Sequence, residues 1–327
     1  MTSTLYVVGG EQQAPRGLSS GVKDWYRFKR GLILAVDVES GSVDVAVEYV
    51  SPPDVCAPDE PPMLFKGGSI RGDRFYVCTP TEILVYQLPG FSLVNYITLP
   101  FFHDLHDVHP TEQGTLLVAV SGLDMVAEIA MDGTVVAEWS CTDTDTWDRF
   151  SRTVDYRREA STKPHNAHPN QVFRLGHETW ATRFEQRDAL CLTDRERRID
   201  IAIERVHDGD LHEGRLYFTT VNGRIVIADP DELRVVDVKE ARPARRDEIL
   251  GWCRGIHLAD GTAWLGFSRV RPTKTRENVG FVLRGFRKDL GTRIAQYDLA
   301  TMDCLREINL EDAGLGAVFS IVPAPAA

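Results

Sequence analysis

Three of the nine histidines, His106, His168 and His207, stand at the heads of short apolar runs that read as equivalent strands of one repeated unit. Aligned on the turns that follow, His106-Asp-Val precedes Gly114-Thr-Leu-Leu-Val, His168-Pro-Asn precedes Thr179-Trp-Ala-Thr, and His207-Asp-Gly precedes Arg215-Leu-Tyr-Phe. The next copy puts Arg254-Gly-Ile in that place, before Thr262-Ala-Trp-Leu. Equivalent positions of a toroidal repeat converge on one axis, so His106, His168 and His207 are expected to share a metal ion. Three neutral imidazoles leave coordination positions open for water or substrate and suit Zn2+ or Fe2+. Asp107 and Asp208, each next to its histidine, would hold the second ring nitrogen or carry protons. Arg254 would orient an anionic group or an oxyanion. His257, close to Arg254, is a candidate fourth ligand or could exchange roles with it. The plainer alternative is that these histidines only hydrogen-bond neighbouring sheets.

The other histidines carry less. His103 and His109 flank His106 at odd spacing, which turns them to the opposite face of a strand. His165 lies just outside its strand, and His177 and His212 sit beside turn glycines, so exposure to solvent is expected for all three.

The elements that must position these side chains are strands. Runs rich in Val, Ile, Leu, Tyr and Phe are separated by Gly, Asp, Asn or Pro turns, and long helical periodicity is nearly absent. The turns recur in units of about 40 residues with four strands each, the signature of propeller blades. Five units begin near Leu64, His106, His168, His207 and Arg254. The remaining strands, near Thr4, Leu32 and Val43, together with 317–322, complete a sixth blade if the chain ends meet. Such closure leaves no long unpaired edge. The fold class predicted is therefore all-β, a six-bladed β-propeller closed by N- and C-terminal strands, in a single domain over residues 1–327. Three connections, 17–30, 141–164 and 269–291, are too long for simple turns and read as lids or interfaces. Segment 141–164 leads into the His168 strand and is expected at the mouth of the channel. Trp139, Trp180 and Trp264 occupy strand positions and read as blade packing.

Composition narrows the partners. A formal charge of -11 over 327 residues argues against nucleic acid or an anionic membrane surface. No apolar run reaches the roughly 18 residues that cross a bilayer, and the first residues read as a strand rather than a signal peptide. The six cysteines form no CxxC pair or zinc-ribbon spacing and are expected to be reduced, in a cytoplasmic protein. No GxSxG elbow, phosphate-binding loop, GxGxxG or HExxH helix is present.

The stretch from His106 to Val118, followed by Met131-Asp-Gly-Thr-Val-Val-Ala-Glu-Trp, resembles the six-bladed propellers of the NHL and gluconolactonase-like superfamily. Within that group the peptidyl-hydroxyglycine lyases hold zinc with three histidines from different blades, beside an arginine. His106, His168, His207 and Arg254 are similar in kind. The disulfides and secretory signal of those lyases have no counterpart here, so the resemblance does not carry their substrate. What it implies is a metal-dependent enzyme of lyase or hydrolase type acting on a small polar or anionic molecule at the channel mouth. An iron-dependent oxygenase or oxidase on the same histidines is the first alternative. A non-catalytic propeller that binds a ligand or a protein is the second.

Overall fold

The computed structural model describes residues 3–13, 27–59, 61–244, 248–269 and 288–325. Its strands form six four-stranded antiparallel sheets, plus a short two-stranded pair. Blade one takes its innermost strand, Ala317–Pro323, from the end of the chain and pairs it with Thr4–Gln12, which continues into Phe28–Asp37 and Val43–Tyr49. The inner strands of the following blades are Gly68–Arg71, Leu105–Pro110, Pro169–Leu175, Val206–His212 and Trp252–Ala259. Each packs against the next, and the last against Ala317–Pro323, so the ring closes through the two ends of the chain as the sequence implied.

The second strands explain why the blades stack. Leu116–Val120 reads Leu-Leu-Val-Ala-Val and is buried at every position, because a neighbouring blade covers each face of the sheet. Outer strands keep one wet face, as at Val135 and Val136. Hairpins are set by local turn chemistry: Asp132-Gly133 places glycine at a φ of 87°, and Asp132 accepts the Thr134 N–H at 2.9 Å. Trp180 and Trp264 are buried in the blade packing.

Segment 141–164 is described in full. A short helix, Thr146–Arg149, is capped by Asp145, and Trp147, Phe150, Val154 and Tyr156 pack on the cluster between blades two and three. Most of 17–30 and of 269–291 lies outside the described residues. Among the described residues no helix is long and apolar enough to cross a membrane. The cysteines are free thiols, and all but Cys304 are buried.

Candidate metal centre and axial ring

The site is set by a bulge near the start of each inner strand. Pairing shifts between Leu105 and Asp107, Pro169 and Val172, Val206 and Gly209, and Arg254 and Ile256. In blade one Phe319 is the extra residue between Val318 and Ser320. In blade two Lys66 and Gly67 both face Cys78, with hydrogen bonds of 2.8 and 3.1 Å. A bulge re-aims its side chain, and in register these are Phe319, Lys66, His106, Asn170, His207 and Arg254, one per blade.

Their contacts trace a ring around the axis. The Arg254 guanidinium lies 4.4 Å from the Phe319 ring centre, and the Lys66 ammonium is 3.3 and 3.4 Å from the His106 ring nitrogens. Arg254 Nε donates to His207 Nε2 at 2.8 Å, and the His106 and His207 ring centres are 6.2 Å apart.

This register corrects one equivalence. His106, His207 and Arg254 occupy matching positions, but His168 stands two residues earlier in its blade, where blade three has Asp104. The backbones agree: φ is 54° at His168 and 51° at Asp104, the left-handed region that ordinary residues rarely occupy. Such strain persists only where the surroundings over-determine it. Here Asp124 does so. Its buried carboxylate accepts the N–H groups of Asn166, Ala167 and His168 at 2.7, 2.9 and 2.8 Å and pairs with Arg149.

Held in this way, His168 meets His165 and Asp104. The two imidazoles stack at 4.8 Å with their Nδ1 atoms 2.6 Å apart, and one ligand atom from each of Asp104, His165 and His168 lies within 4.8 Å of the others. These residues could hold a metal ion. Thr162, which donates to the Gly122 carbonyl at 2.5 Å, lies 3.3 Å from His165 Nε2. Its oxygen is left to accept, so Nε2 carries the proton and Nδ1 accepts from His168 Nδ1–H, a hydrogen bond that a bound ion would have to replace. Burial opposes ionisation of Asp104, but the paired Lys66 ammonium overrides it and holds the carboxyl well below its usual range. His168 is held well below its ordinary value by burial, and therefore neutral, as a ligand must be.

The expected trio is brought close but does not share ligand atoms. His106 and His168 have ring centres 4.6 Å apart. His106 Nδ1 donates to the Asp104 carbonyl at 2.8 Å, which leaves its Nε2 as the lone-pair nitrogen. His207 has both nitrogens engaged: Nδ1 faces Asp208 at 3.0 Å and Nε2 takes the Arg254 hydrogen bond. A guanidinium thus stands where a metal bound to His207 would have to be. The donor set that fits a divalent ion is two imidazoles and a carboxylate, and His207 is not part of it.

Asp208 faces Nδ1 of its histidine, whose other nitrogen is on Arg254 rather than on a metal, and also accepts the Gly255 N–H at 2.6 Å. Asp107 does not touch its histidine's ring. It accepts the Val172 N–H of the next blade at 3.0 Å, and burial pushes its carboxyl up to about 7. His257 lies about three residues, roughly 10 Å, along the strand from Arg254. Burial lowers its basicity, with the charge of His212 adding to this.

Sequence reasoning missed Lys66, Asp104 and His165. The His165-Asn-Ala-His168 spacing was the available signal for His165, which is partly buried rather than solvated. His177 is exposed, as expected, whereas His212 is only partly so. His103 is buried under segment 141–164, with Nε2 3.1 Å from the Glu159 carbonyl.

No protein-family model and no curated protein matches this chain. Among solved structures, a protein of unknown function from Bacteroides caccae superposes with a TM-score of 0.63 over 100% of both chains at 12% identity. A chain from the nidogen/laminin complex superposes with a TM-score of 0.59 over 97% of each at 10% identity. At such identity the likeness is one of fold, and what the chain is similar to is the propeller architecture itself.

Proposed function

We propose that the protein is a metal-dependent enzyme, of lyase or hydrolase type, acting on a small polar or anionic molecule above the axial ring. The observation that carries this reading is the convergence of Asp104, His165 and His168 beside three further buried functional groups, Lys66, His106 and Arg254. Two histidines and a carboxylate are a zinc set in hydrolytic enzymes, and the bound ion would act as a Lewis acid toward a substrate oxygen. The chain's own residues supply the rest. His106 Nε2, unprotonated because Nδ1 donates to the Asp104 carbonyl, faces the Lys66 ammonium, and burial together with that charge holds the imidazole well below its usual range, so it stays neutral beside the metal cluster. His207, fixed by Asp208, orients the Arg254 guanidinium, and Lys66 and Arg254 supply positive charge for an anionic group.

The same donor set also favours a second reading, since two histidines and one carboxylate with open positions bind ferrous iron in oxygen-dependent enzymes. Elemental analysis of purified protein separates these readings. The expected result is about one zinc or iron per chain, lost in His168→Ala and in Asp104→Asn. Protein that stays metal-free after incubation with either ion would leave a non-catalytic binding propeller.

A further inference from the structure

Two residues before each member of the axial ring lies a second circle of positions: Ala317, Leu64, Asp104, His168, Arg205 and Trp252 in blade order. Asp104 is 24% exposed by side chain where Lys66 is 6%, which puts this circle on the solvent side of the ring. The backbone ladder matches His168 with Arg205 independently. The His168 carbonyl accepts the Phe184 N–H at 3.3 Å and the Arg205 carbonyl accepts the Val221 N–H at 3.1 Å, each one step beyond the pairs Pro169 with Arg183 and Val206 with Thr220. Next to the metal-type cluster, on the side away from Asp104, the mouth therefore carries a guanidinium.

Two ring contacts tie that guanidinium to the cluster. Arg205 Cζ lies 5.3 Å from the centre of the Phe184 ring, and the same ring meets the His168 imidazole edge to face at 5.4 Å. The cation is thus no farther from His168 than these two contacts laid end to end, a gap that a short diacid can bridge. Lys66 is paired with Asp104, and Arg254 Nε donates to His207. Arg205 differs from both: among the described residues no carboxylate pairs with its guanidinium, and the adjoining Glu204 carboxylate accepts the Arg205 backbone N–H at 2.8 Å instead. Phe184 and Arg205 are both half-buried. An arginine held over an aromatic face is already oriented, and its N–H fork matches the two oxygens of a carboxylate.

We propose that Arg205 sets substrate choice by taking a terminal carboxylate, so that the substrate is a short acid reaching from this fork to the cluster of Asp104, His165 and His168 with a second oxygen group. This substrate class rests on the metal-dependent reading for the reaction, but the fork can be tested without the metal. The Nε–H signal of Arg205 in the 1H–15N spectrum of the full chain, assigned by its loss in Arg205→Lys, reports on the fork. Acetate and succinate would be titrated in EDTA and after zinc loading. In EDTA both acids should move this signal saturably, at concentrations that leave the other arginine signals in place. Zinc should tighten succinate about tenfold, the worth of one added contact, and leave acetate unchanged. In calorimetric titration of zinc-loaded protein, Arg205→Met should abolish the advantage of succinate over acetate while binding zinc as the wild type does. An Arg205 signal that neither acid moves in EDTA overturns the assignment, as does equal affinity for both acids in protein shown to hold zinc. Protein that binds no zinc but gives the saturable shift in EDTA loses the metal reading and keeps the fork.

Discussion

At the scale of single residues, the chain uses adjacent positions of each bulge for different tasks. The first faces the axis. The second clasps the next blade: Asp107 takes the Val172 N–H, Gln171 donates to the Gly209 carbonyl at 2.6 Å, and Asp208 takes the Gly255 N–H. The clasp at Asp107 has a pH signature. Its carboxyl is raised by burial to about 7, with Val172 opposing and the charge of Asp208 adding to the rise. A folded-state value above the unfolded one means that the native protein holds a proton the unfolded chain has released. This contribution is present below the unfolded value near 4 and is lost as pH rises through about 7. Asp107→Asn keeps an acceptor for Val172 and cannot ionise. Urea unfolding of both proteins at pH 5 and pH 8 should therefore show wild type losing more stability than the variant across that interval, by up to about 1.4 kcal/mol per pH unit. Parallel losses would mean that Asp107 is ionised throughout.

At the scale of elements, His168 owes its place to a tether rather than to its strand. Asp124, the turn residue just before Met125–Ile129, the third strand of blade three, grips 166–168 through its carboxylate, and Arg149 joins that grip to the Thr162 carbonyl at 3.0 Å. Asp124→Asn should lower zinc affinity by about 10- to 100-fold, the usual effect of disturbing a group that orients a ligand. Competition with a chelator would measure it, and unchanged affinity would show that the segment holds its shape without the carboxylate. The same elements explain what was legible in the sequence. Alternating apolar runs and glycine turns revealed all six blades, and the terminal strands paired because neither end had another partner. The His-Asp pairs at 106 and 207 sit in true register. His168 was set level with them because apolar patterns locate strands to within a residue or two, while a bulge moves the register by that amount without altering the pattern. Lys66 and Asp104 gave no signal as isolated charges among many. His165 belongs to a connection whose path depends on Asp124, 41 positions earlier in the chain.

At the scale of the whole molecule, the ring and the site depend on the same closure. Ala317–Pro323 fills the first blade's inner position, sets the Phe319 ring 4.4 Å from the Arg254 guanidinium, and buries Val318 and Ile321. Gly266 is required where this strand crosses blade six, because a Cβ there would lie 2.3 Å from the Arg254 carbonyl oxygen and 2.4 Å from Val318 Cγ1. Burial of each large aliphatic side chain contributes about 1.5–3 kcal/mol, so the strand is worth a large part of a typical net stability. Its loss also exposes the edge of Thr4–Gln12 in the middle of the apolar interface. A chain ending at residue 315 should therefore lose its cooperative urea transition and associate on size-exclusion chromatography. Because the partner edge is complete without it, a synthetic peptide of residues 316–325 added to the shortened chain should restore both the transition and the elution volume of the full chain. A shortened chain that unfolds cooperatively without the peptide would show that the five remaining blades and three N-terminal strands hold the toroid without closure.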